Sequence, residues 1–113
     1  MALMKSWNER TELLLGAAAV AKFAESHVLV AGMGGVGSFV AEFLVRAGVG
    51  KITIVDSDKV EASNRNRQIP ALKSNEGRYK TEVMAERLKD INPDLQINPI
   101  CEYIRDEKTG EIL

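Results

Sequence analysis

The stretch VLVAGMGGVGSFVAEFLVRAGVGKITIVDSD, residues 28–58, decides the fold of this chain. It opens with a short apolar run, passes through a glycine cluster, continues as an apolar helical pattern and ends in a second apolar run, KITIVD. A strand, a glycine turn, a helix and a strand within about thirty residues form a βαβ unit, with parallel strands and a right-handed crossover. The segment therefore predicts an α/β fold, a Rossmann-like three-layer unit with a parallel sheet.

The regions on either side of this unit predict further elements of the same fold. Residues 11–24 are rich in Ala and Leu and predict one or two short helices around Gly16, within an N-terminal helical arm over residues 1–26. Downstream we expect an amphipathic helix over residues 80–91 and a strand over residues 95–101, where Pro99 favours an edge or a bulge. The central helix should face the sheet with Val36, Val40, Phe43, Leu44 and Ala47.

Residues 32–37 match the pattern G-x-G-x-x-G between a strand and a helix, with glycines at Gly32, Gly34, Gly35 and Gly37. The first glycine of such a loop permits the turn, the second lets backbone approach phosphate, and the third lets the helix pack on the strand. Asp56 ends the next strand, where its oxygens can accept from both ribose hydroxyls. The pattern predicts a nucleotide site, and the alternative is a tight turn with Asp56 as a loop cap. The loop alone does not separate ATP from a nicotinamide or flavin dinucleotide.

The polar segment that follows bears on this choice of nucleotide. Between residues 65 and 80 the cations outnumber the single acid, Glu76. Activation of a substrate by ATP must stabilise charge that grows on departing pyrophosphate, which is a task for Arg and Lys. The segment therefore favours ATP, with a solvated charged loop as the alternative. The cations are Arg65, Arg67, Lys73, Arg78 and Lys80.

Taken in order, these motifs resemble the E1-like (ThiF/MoeB) superfamily of adenylating enzymes. The likeness rests on the glycine loop, Asp56-x-Asp58, residues 63–68 (SNRNRQ), Gly77, Lys80 and residues 91–93 (INP). The resemblance implies that Asp56 binds ribose, with Asp58 in the same nucleotide-binding motif, and that ATP is used with Mg²⁺. It further implies that Asn64, Arg67, Gln68 and Lys80 surround the triphosphate and that Arg10 reaches the ATP of a neighbouring subunit, with Arg67, Lys80 and Arg10 as the catalytic residues.

Three short segments resemble one branch of this superfamily, the tRNA threonylcarbamoyladenosine dehydratases: residues 10–16, 64–69 and 82–87. The likeness covers roughly residues 8–103. It implies that the whole enzyme adenylates the threonyl carboxylate of N6-threonylcarbamoyladenosine at position 37 of tRNA, and that cyclisation expels AMP. A homodimer is implied as well. An activator of a ubiquitin-like sulfur-carrier protein is the alternative within the superfamily.

Members of the superfamily are about twice this length, and their magnesium-binding aspartate and catalytic or zinc-binding cysteines lie beyond the region matched here. We therefore expect residues 1–113 to be the N-terminal part of a single ATP-binding domain that ends before it is complete, with little or no activity alone. Residues 104–113 are polar and supply no closing element. Two other classes stay open: a dinucleotide-dependent oxidoreductase fragment, which the cationic segment disfavours, and a non-catalytic dimerisation or regulatory module.

Composition says more about the partners and the cellular compartment of the protein than about the reaction. A formal net charge of -1 gives no general basic field for nucleic acid or a membrane, so any such contact must be local. Cys101 is the only cysteine, which excludes an intrachain disulfide, and we expect it to be a buried structural thiol rather than a nucleophile. With no export signal and no apolar run of membrane-spanning length, a cytoplasmic protein is predicted.

Overall fold

The computed structural model describes residues 7–102, and these form four helices and three strands in the predicted order. The helices are α1 (Glu9–Leu15), α2 (Ala17–Glu25), α3 (Gly35–Ala47) and α4 (Lys80–Ile91). The strands are β1 (His27–Ala31), β2 (Lys51–Val55) and β3 (Gln96–Ile100). The α/β fold class and both predicted outer elements, the helix over residues 80–91 and the strand that follows it, are confirmed. Residues 1–6 of the predicted arm and residues 104–113 lie outside the described residues.

The sheet has the order β1-β2-β3, and both pairings are parallel. The register places Val30 beside Ile54 on one side of β2, and Ile52 beside Ile97 on the other. These side chains belong to one core with Ala41 and Val45 of α3 and Met84 and Leu88 of α4, so both helices pack on the same face of the sheet. Pro99 lies in β3 at the edge of this sheet, as expected for a residue without an N–H donor.

The face by which α3 packs differs from the one predicted. Val36 is 79% exposed and Phe43 63% exposed, and Val40 is also exposed. Only Leu44 of the predicted face packs against the core as a partly buried residue. The face that packs inward is buried through four residues, Ser38, Ala41, Glu42 and Val45.

Two polar residues can lie on the inner face of α3 because each has partners there. The Ser38 hydroxyl donates to the carbonyl oxygen of Gly34, one turn earlier. The Glu42 carboxylate accepts from Arg87 of α4 and from Arg46 at 3.2 Å. A buried polar group costs free energy when it lacks a partner. Because Ser38 and Glu42 have partners, this face of α3 can pack against the core.

Cys101 is a second correction. It follows β3 directly and is exposed, not buried as we expected. The strand ends one residue earlier than predicted, so the thiol is no longer part of the pleat that would have turned it inward.

The segment between β2 and α4 is irregular, but hydrogen bonds and apolar contacts hold it in place. It contains two short 3₁₀ turns, Ala62–Asn64 and Lys73–Asn75. Its two ends are joined by hydrogen bonds from the Val60 N–H to Arg78 and from the Gly77 N–H to Val60, and Val60 packs with Ala71 and Val83 of α4. This small second core holds the polar segment against the end of the sheet where β1 and β2 stop.

Candidate nucleotide-binding site

The glycine loop leaves β1 and becomes the first turn of α3 within four residues. Gly32 has φ +90°, a left-handed conformation that glycine adopts without strain. At Gly37 a methyl group would overlap the carbonyl oxygen of Gly32, so the helix can approach the loop this closely only with glycine there. The first N–H groups of α3 have no acceptor within the helix, and they face the end of the sheet together with the positive end of the helix dipole. Such a helix start is suited to phosphate.

Asp56 ties the two strand ends together. Its Oδ2 accepts from the backbone N–H of Met33 at 2.6 Å, and its Oδ1 accepts from the N–H of Asp58 at 2.7 Å. Its own N–H donates to the carbonyl of Ile100 at 3.1 Å, which brings the end of β3 alongside. Each carboxylate oxygen has two lone pairs, so both can still accept from a ribose hydroxyl. The loop-cap alternative and the ribose role are therefore compatible.

A cavity of about 250 Å³ opens beside Asp56 at this end of the sheet. Its walls come from the ends of β1 and β2 and from the residue after Cys101. Three carboxylates line it, and the hydroxyl oxygen of Ser57 is buried in its wall without a hydrogen-bond partner in the described part of the chain. The lining residues are Ala31, Gly32, Val55, Asp56, Ser57, Asp58 and Glu102.

Lys80 lies next to the same cavity, at the first position of α4. Its side chain is almost fully buried, and its Nζ lies 4.0 Å from Oδ2 of Asp58, which is itself more than half exposed. The backbone repeats the link, because the Lys80 N–H donates to the carbonyl of Asp58 at 3.0 Å. A buried ammonium with one long ion pair keeps donors available, so Lys80 can take a phosphate oxygen as a further partner.

Residues 64–68 lie against the glycine loop. Gln68 Nε2 lies 3.6 Å from the position that a Cβ of Gly34 would take, while its buried Oε1 has no partner among the described residues. Asn64 is buried and its Oδ1 accepts from the N–H of Glu61 at 3.1 Å, so part of its polar capacity closes its own turn. Arg67 is exposed, and among residues 7–102 only its Nη1 donates hydrogen bonds, to the Ser63 carbonyl and to Asn66.

The predicted positive segment is less uniform than its sequence suggests. Arg78 turns away to Glu82, at 2.6 Å, and to Glu86, and these two acids raise its pKa. Arg65 pairs with Glu76 at 3.7 Å. Because Glu82 and Glu86 lie in α4, beyond the polar segment over residues 65–80, the prediction of one local cation patch was wrong for Arg78. Within residues 7–102, Arg67 and Lys73 make no ion pair.

Arg10 stands apart from this group. It is exposed on α1, outside the walls of the cavity, and makes no ion pair with any part of the chain that the structure describes. The structure thus brings together the glycine loop, Asp56, Asp58, Asn64, Arg67, Gln68 and Lys80, and it leaves Arg10 outside. Sequence patterns missed Ser57 and Glu102, which could have been found only from their positions after strands that end beside each other.

The site combines hydrogen-bond donors and acceptors. Helix N–H groups, Lys80 and those nitrogens of Arg67 that make no hydrogen bond within residues 7–102 are donors, whereas the Asp56 carboxylate in the cavity wall offers acceptors. For a magnesium ion the described residues offer less. They contain no group of three or more His, Cys, Asp or Glu side chains that could hold a metal. No helix among them is long and apolar enough to cross a membrane.

Known proteins are similar to this chain in sequence and in fold. The chain is 41% identical over 111 residues to a tRNA threonylcarbamoyladenosine dehydratase of Escherichia coli, covering 96% of this chain and 41% of that protein. It is 38% identical over 92 residues to the sulfur carrier protein ThiS adenylyltransferase of the same organism, covering 81% of this chain and 35% of that protein. A crystal structure of the E. coli dehydratase in complex with ATP superimposes with a TM-score of 0.90 at 42% identity, over 95% of this chain and 45% of that one.

The chain therefore spans less than half the length of these relatives, a difference that was expected from its sequence. The predicted resemblance to the E1-like adenylating enzymes is confirmed, and bacterial tRNA threonylcarbamoyladenosine dehydratases are among the relatives, at 41–44% identity. The model of the ThiF family matches residues 8–113, almost the whole of the sequence. The chain belongs to the ThiF family.

Proposed function

We propose that this chain is the nucleotide-binding part of an ATP-dependent adenylating enzyme. The observation that carries the proposal is the meeting of the glycine loop, Asp56 and Lys80 at one end of the sheet, in a fold whose relative binds ATP. Helix N–H groups and Lys80 hold the phosphates, and Asp56 accepts from the ribose. Bound ATP supplies the adenylyl group, and Mg²⁺ accompanies it.

The chemical step requires charge stabilisation on the departing pyrophosphate. Arg67 and Lys80 are the cations placed for it, since Arg67 keeps Nε and Nη2 free of acceptors in the described region and Lys80 has only a 4.0 Å partner. A preorganised donor of this kind acts most when charge has developed, so its effect falls on kcat more than on binding.

For the acyl substrate we propose the threonyl carboxylate of threonylcarbamoyladenosine in tRNA, with cyclisation and loss of AMP. The support is the identity of 41–44% to bacterial dehydratases, against 38% to the ThiS adenylyltransferase. That second relative keeps a ubiquitin-like sulfur carrier as the alternative substrate. Both readings assign the same chemistry to the residues of this chain, and a cytoplasmic location fits either.

We also propose a homodimer. Outside the core, α3 carries an exposed apolar stripe, and α1 carries three exposed leucines beside Arg10. Exposed apolar area of this extent indicates a surface that another protein surface covers. In a dimer α1 can carry Arg10 to the site of the second subunit, which agrees with its separation from the site of its own. The residues concerned are Val36, Phe39, Val40 and Phe43 of α3 and Leu13, Leu14 and Leu15 of α1.

Ligand-dependent thermal unfolding tests the nucleotide, and pyrophosphate release tests the substrate. ATP with Mg²⁺ should raise the unfolding temperature of this chain more than NADH or FAD at equal concentration, because binding to the folded state alone is stabilising. Protection by NADH and not by ATP would restore the oxidoreductase alternative. In an active protein that contains this chain, release should depend on threonylcarbamoylated tRNA. Release that depends on a sulfur carrier instead would replace the substrate and keep the adenylation.

A further inference from the structure

A further cavity, of about 460 Å³, lies between the C-terminal halves of α3 and α4 and the start of the described chain. Arg46 follows Gly35 by eleven residues, so a rise of about 1.5 Å per residue puts it about 17 Å along α3 from the glycine loop. Arg87 lies about 10 Å along α4 from Lys80 by the same measure. The cavity shares no lining residue with the one beside Asp56 and is separate from it. It is lined by Trp7, Arg46, Arg87, Asp90 and Ile91.

One carboxylate holds both arginines of this cavity. Glu42 accepts from the Nε of Arg87, from the Nε of Arg46 at 3.2 Å and from the Nη2 of Arg87 at 3.4 Å. The Glu42 side chain is only 11% exposed, whereas the side chains of Arg46 and Arg87 are about half exposed. Both Nη atoms of Arg46 and the Nη1 of Arg87 have no acceptor in the described part of the chain. The carboxylate thus fixes two guanidinium groups whose outer N–H donors remain available.

The contact between α3 and α4 does not by itself require two arginines. One guanidinium neutralises one carboxylate, so the second adds positive charge to the wall of the cavity. Cations near a helix C-terminus offset the helix dipole, but this effect does not bring cations of two helices to one carboxylate. Asp90, three residues after Arg87, lines the same cavity and makes no ion pair within residues 7–102. The wall therefore offers several cationic donors and, apart from them, one carboxylate acceptor.

We propose that this cavity binds a nucleotide unit, with its phosphate at Arg46 and Arg87 and its base against the indole of Trp7. Guanidinium groups pair with phosphate oxygens through parallel N–H donors, and nucleobases stack on aromatic side chains. Trp7 is 49% exposed, so much of its ring is open to a ligand, and Asp90 can accept from a ribose hydroxyl or an amino group. An inorganic anion would leave Trp7 unused, and an apolar ligand would leave the arginines unused. This site goes beyond the proposed function, because ATP at the glycine loop does not reach it.

Two sources supply such a unit: a free mononucleotide and a nucleotide within a single strand of RNA. Both present the same phosphate, sugar and base to the cavity, and they differ only outside it, where a strand continues. The formal net charge of -1 gives the chain no general attraction for RNA, so a strand would have to be held by local contacts such as these.

Trp7 is the only tryptophan of the chain, so its fluorescence reports directly on this cavity. Titration with uridine monophosphate and with tetrauridylate should quench its emission along a saturable curve, because a stacked base quenches indole fluorescence. Asp56→Ala, which removes the ribose acceptor of the other site, should give the same curve. Tighter binding of tetrauridylate than of the monophosphate would assign the cavity to an RNA strand, and equal binding would assign it to a free mononucleotide.

Substitution of Arg46 tests the phosphate contact. Arg46→Gln removes one guanidinium and leaves Glu42 paired with Arg87, so the contact between the helices is kept. This variant should bind uridine monophosphate about tenfold more weakly, as expected for lost hydrogen bonds to a charged group, and Arg46→Lys should recover only part of the affinity. Lys22→Gln, which removes an exposed cation of α2 outside the cavity, is the matched control and should leave the affinity unchanged.

Three results would overturn the assignment. The first is the absence of saturable quenching in the wild type, and the second is equal affinity of Arg46→Gln and the wild type. The third is quenching that disappears in Asp56→Ala, because the nucleotide would then lie at the glycine loop. Calorimetry with uridine monophosphate checks the base contact without relying on fluorescence: Trp7→Ala should bind about fivefold more weakly or worse, and an unchanged affinity would exclude stacking on Trp7.

Discussion

Replacement of Gly37 by alanine is the perturbation that the structure defines most sharply. A methyl group at this position would overlap the carbonyl oxygen of Gly32. That oxygen belongs to backbone, and the Gly32 N–H is itself held by the carbonyl of Val55 at 2.6 Å, so α3 has to move instead. Overpacking of this kind costs about 1–3 kcal/mol. Loss of chain entropy in the unfolded state returns about 0.4–1 kcal/mol, which leaves a net destabilisation of up to about 2.6 kcal/mol.

Gly35→Ala provides the matched control in the same loop. At Gly35 a Cβ would meet only the carbonyl oxygen of Arg67, at 3.9 Å. Gly35 is the first residue of α3, and its φ is not positive. We expect this variant to be as stable as the wild type or up to about 1 kcal/mol more stable. Urea denaturation monitored by circular dichroism measures both. Equal midpoints for Gly37→Ala and Gly35→Ala would refute the close approach of α3 to the loop.

The remaining predictions concern the nucleotide, the dimer, the chemistry and the α3–α4 ion pairs. Asp56→Ala should lower ATP affinity in calorimetry by about 1–3 kcal/mol; an unchanged affinity would remove the ribose role. In an active protein that contains this chain, mixing a variant without Arg10 with one without Arg67 should restore part of the activity, and no recovery despite subunit exchange would exclude Arg10 from the partner's site. There, Arg67→Ala should slow pyrophosphate release by about 10²–10³-fold with ATP affinity largely kept, and Arg67→Lys should recover only part of the rate. Arg87 and then Arg46 lower the pKa of Glu42, so its stabilisation is present above the unfolded pKa of about 4.3 and disappears as pH falls through the folded value. Glu42→Gln should therefore cost about 1–3 kcal/mol at pH 7 and much less near pH 3, as measured in urea; a cost independent of pH would show that packing and not charge is lost.

The part of the fold that sequence predicts well is the part encoded by neighbouring residues. The glycine loop, its flanking strands and Asp56 lie within one contiguous segment, so spacing alone places the Asp56 carboxylate at the loop. The observed bond from the Met33 N–H to Asp56 joins two residues that the pattern had already brought together. The end of a helix at a glycine and the end of α4 before residues 92–93 follow from equally local preferences.

Features that depend on distant segments were not predicted. Glu102 reaches the cavity because β3 pairs with β2 in a register that ends at Val55 and Ile100. Arg78 pairs with Glu82 and Glu86, which lie one and two turns further along the chain in α4. Both acids lie beyond the polar segment from which the cation patch was predicted. In both cases the sequence contained the residues, but their contacts follow from pairing and packing that a window along the chain does not describe.

The outward face of α3, which we had predicted to pack on the sheet, bears on how this helix is used. A helix in which Ala41 and Val45 face the core and Phe39, Val40 and Phe43 face outward is apolar on two sides. Counting apolar residues cannot rank such faces, because the polar Glu42 on the inner one is stabilised by arginines from outside the pattern. The outer stripe starts at the same turn whose N–H groups face the candidate phosphate site. A protein surface that covers this stripe therefore contacts the helix that supports the glycine loop, so that assembly and nucleotide binding should each affect the other through the position of α3.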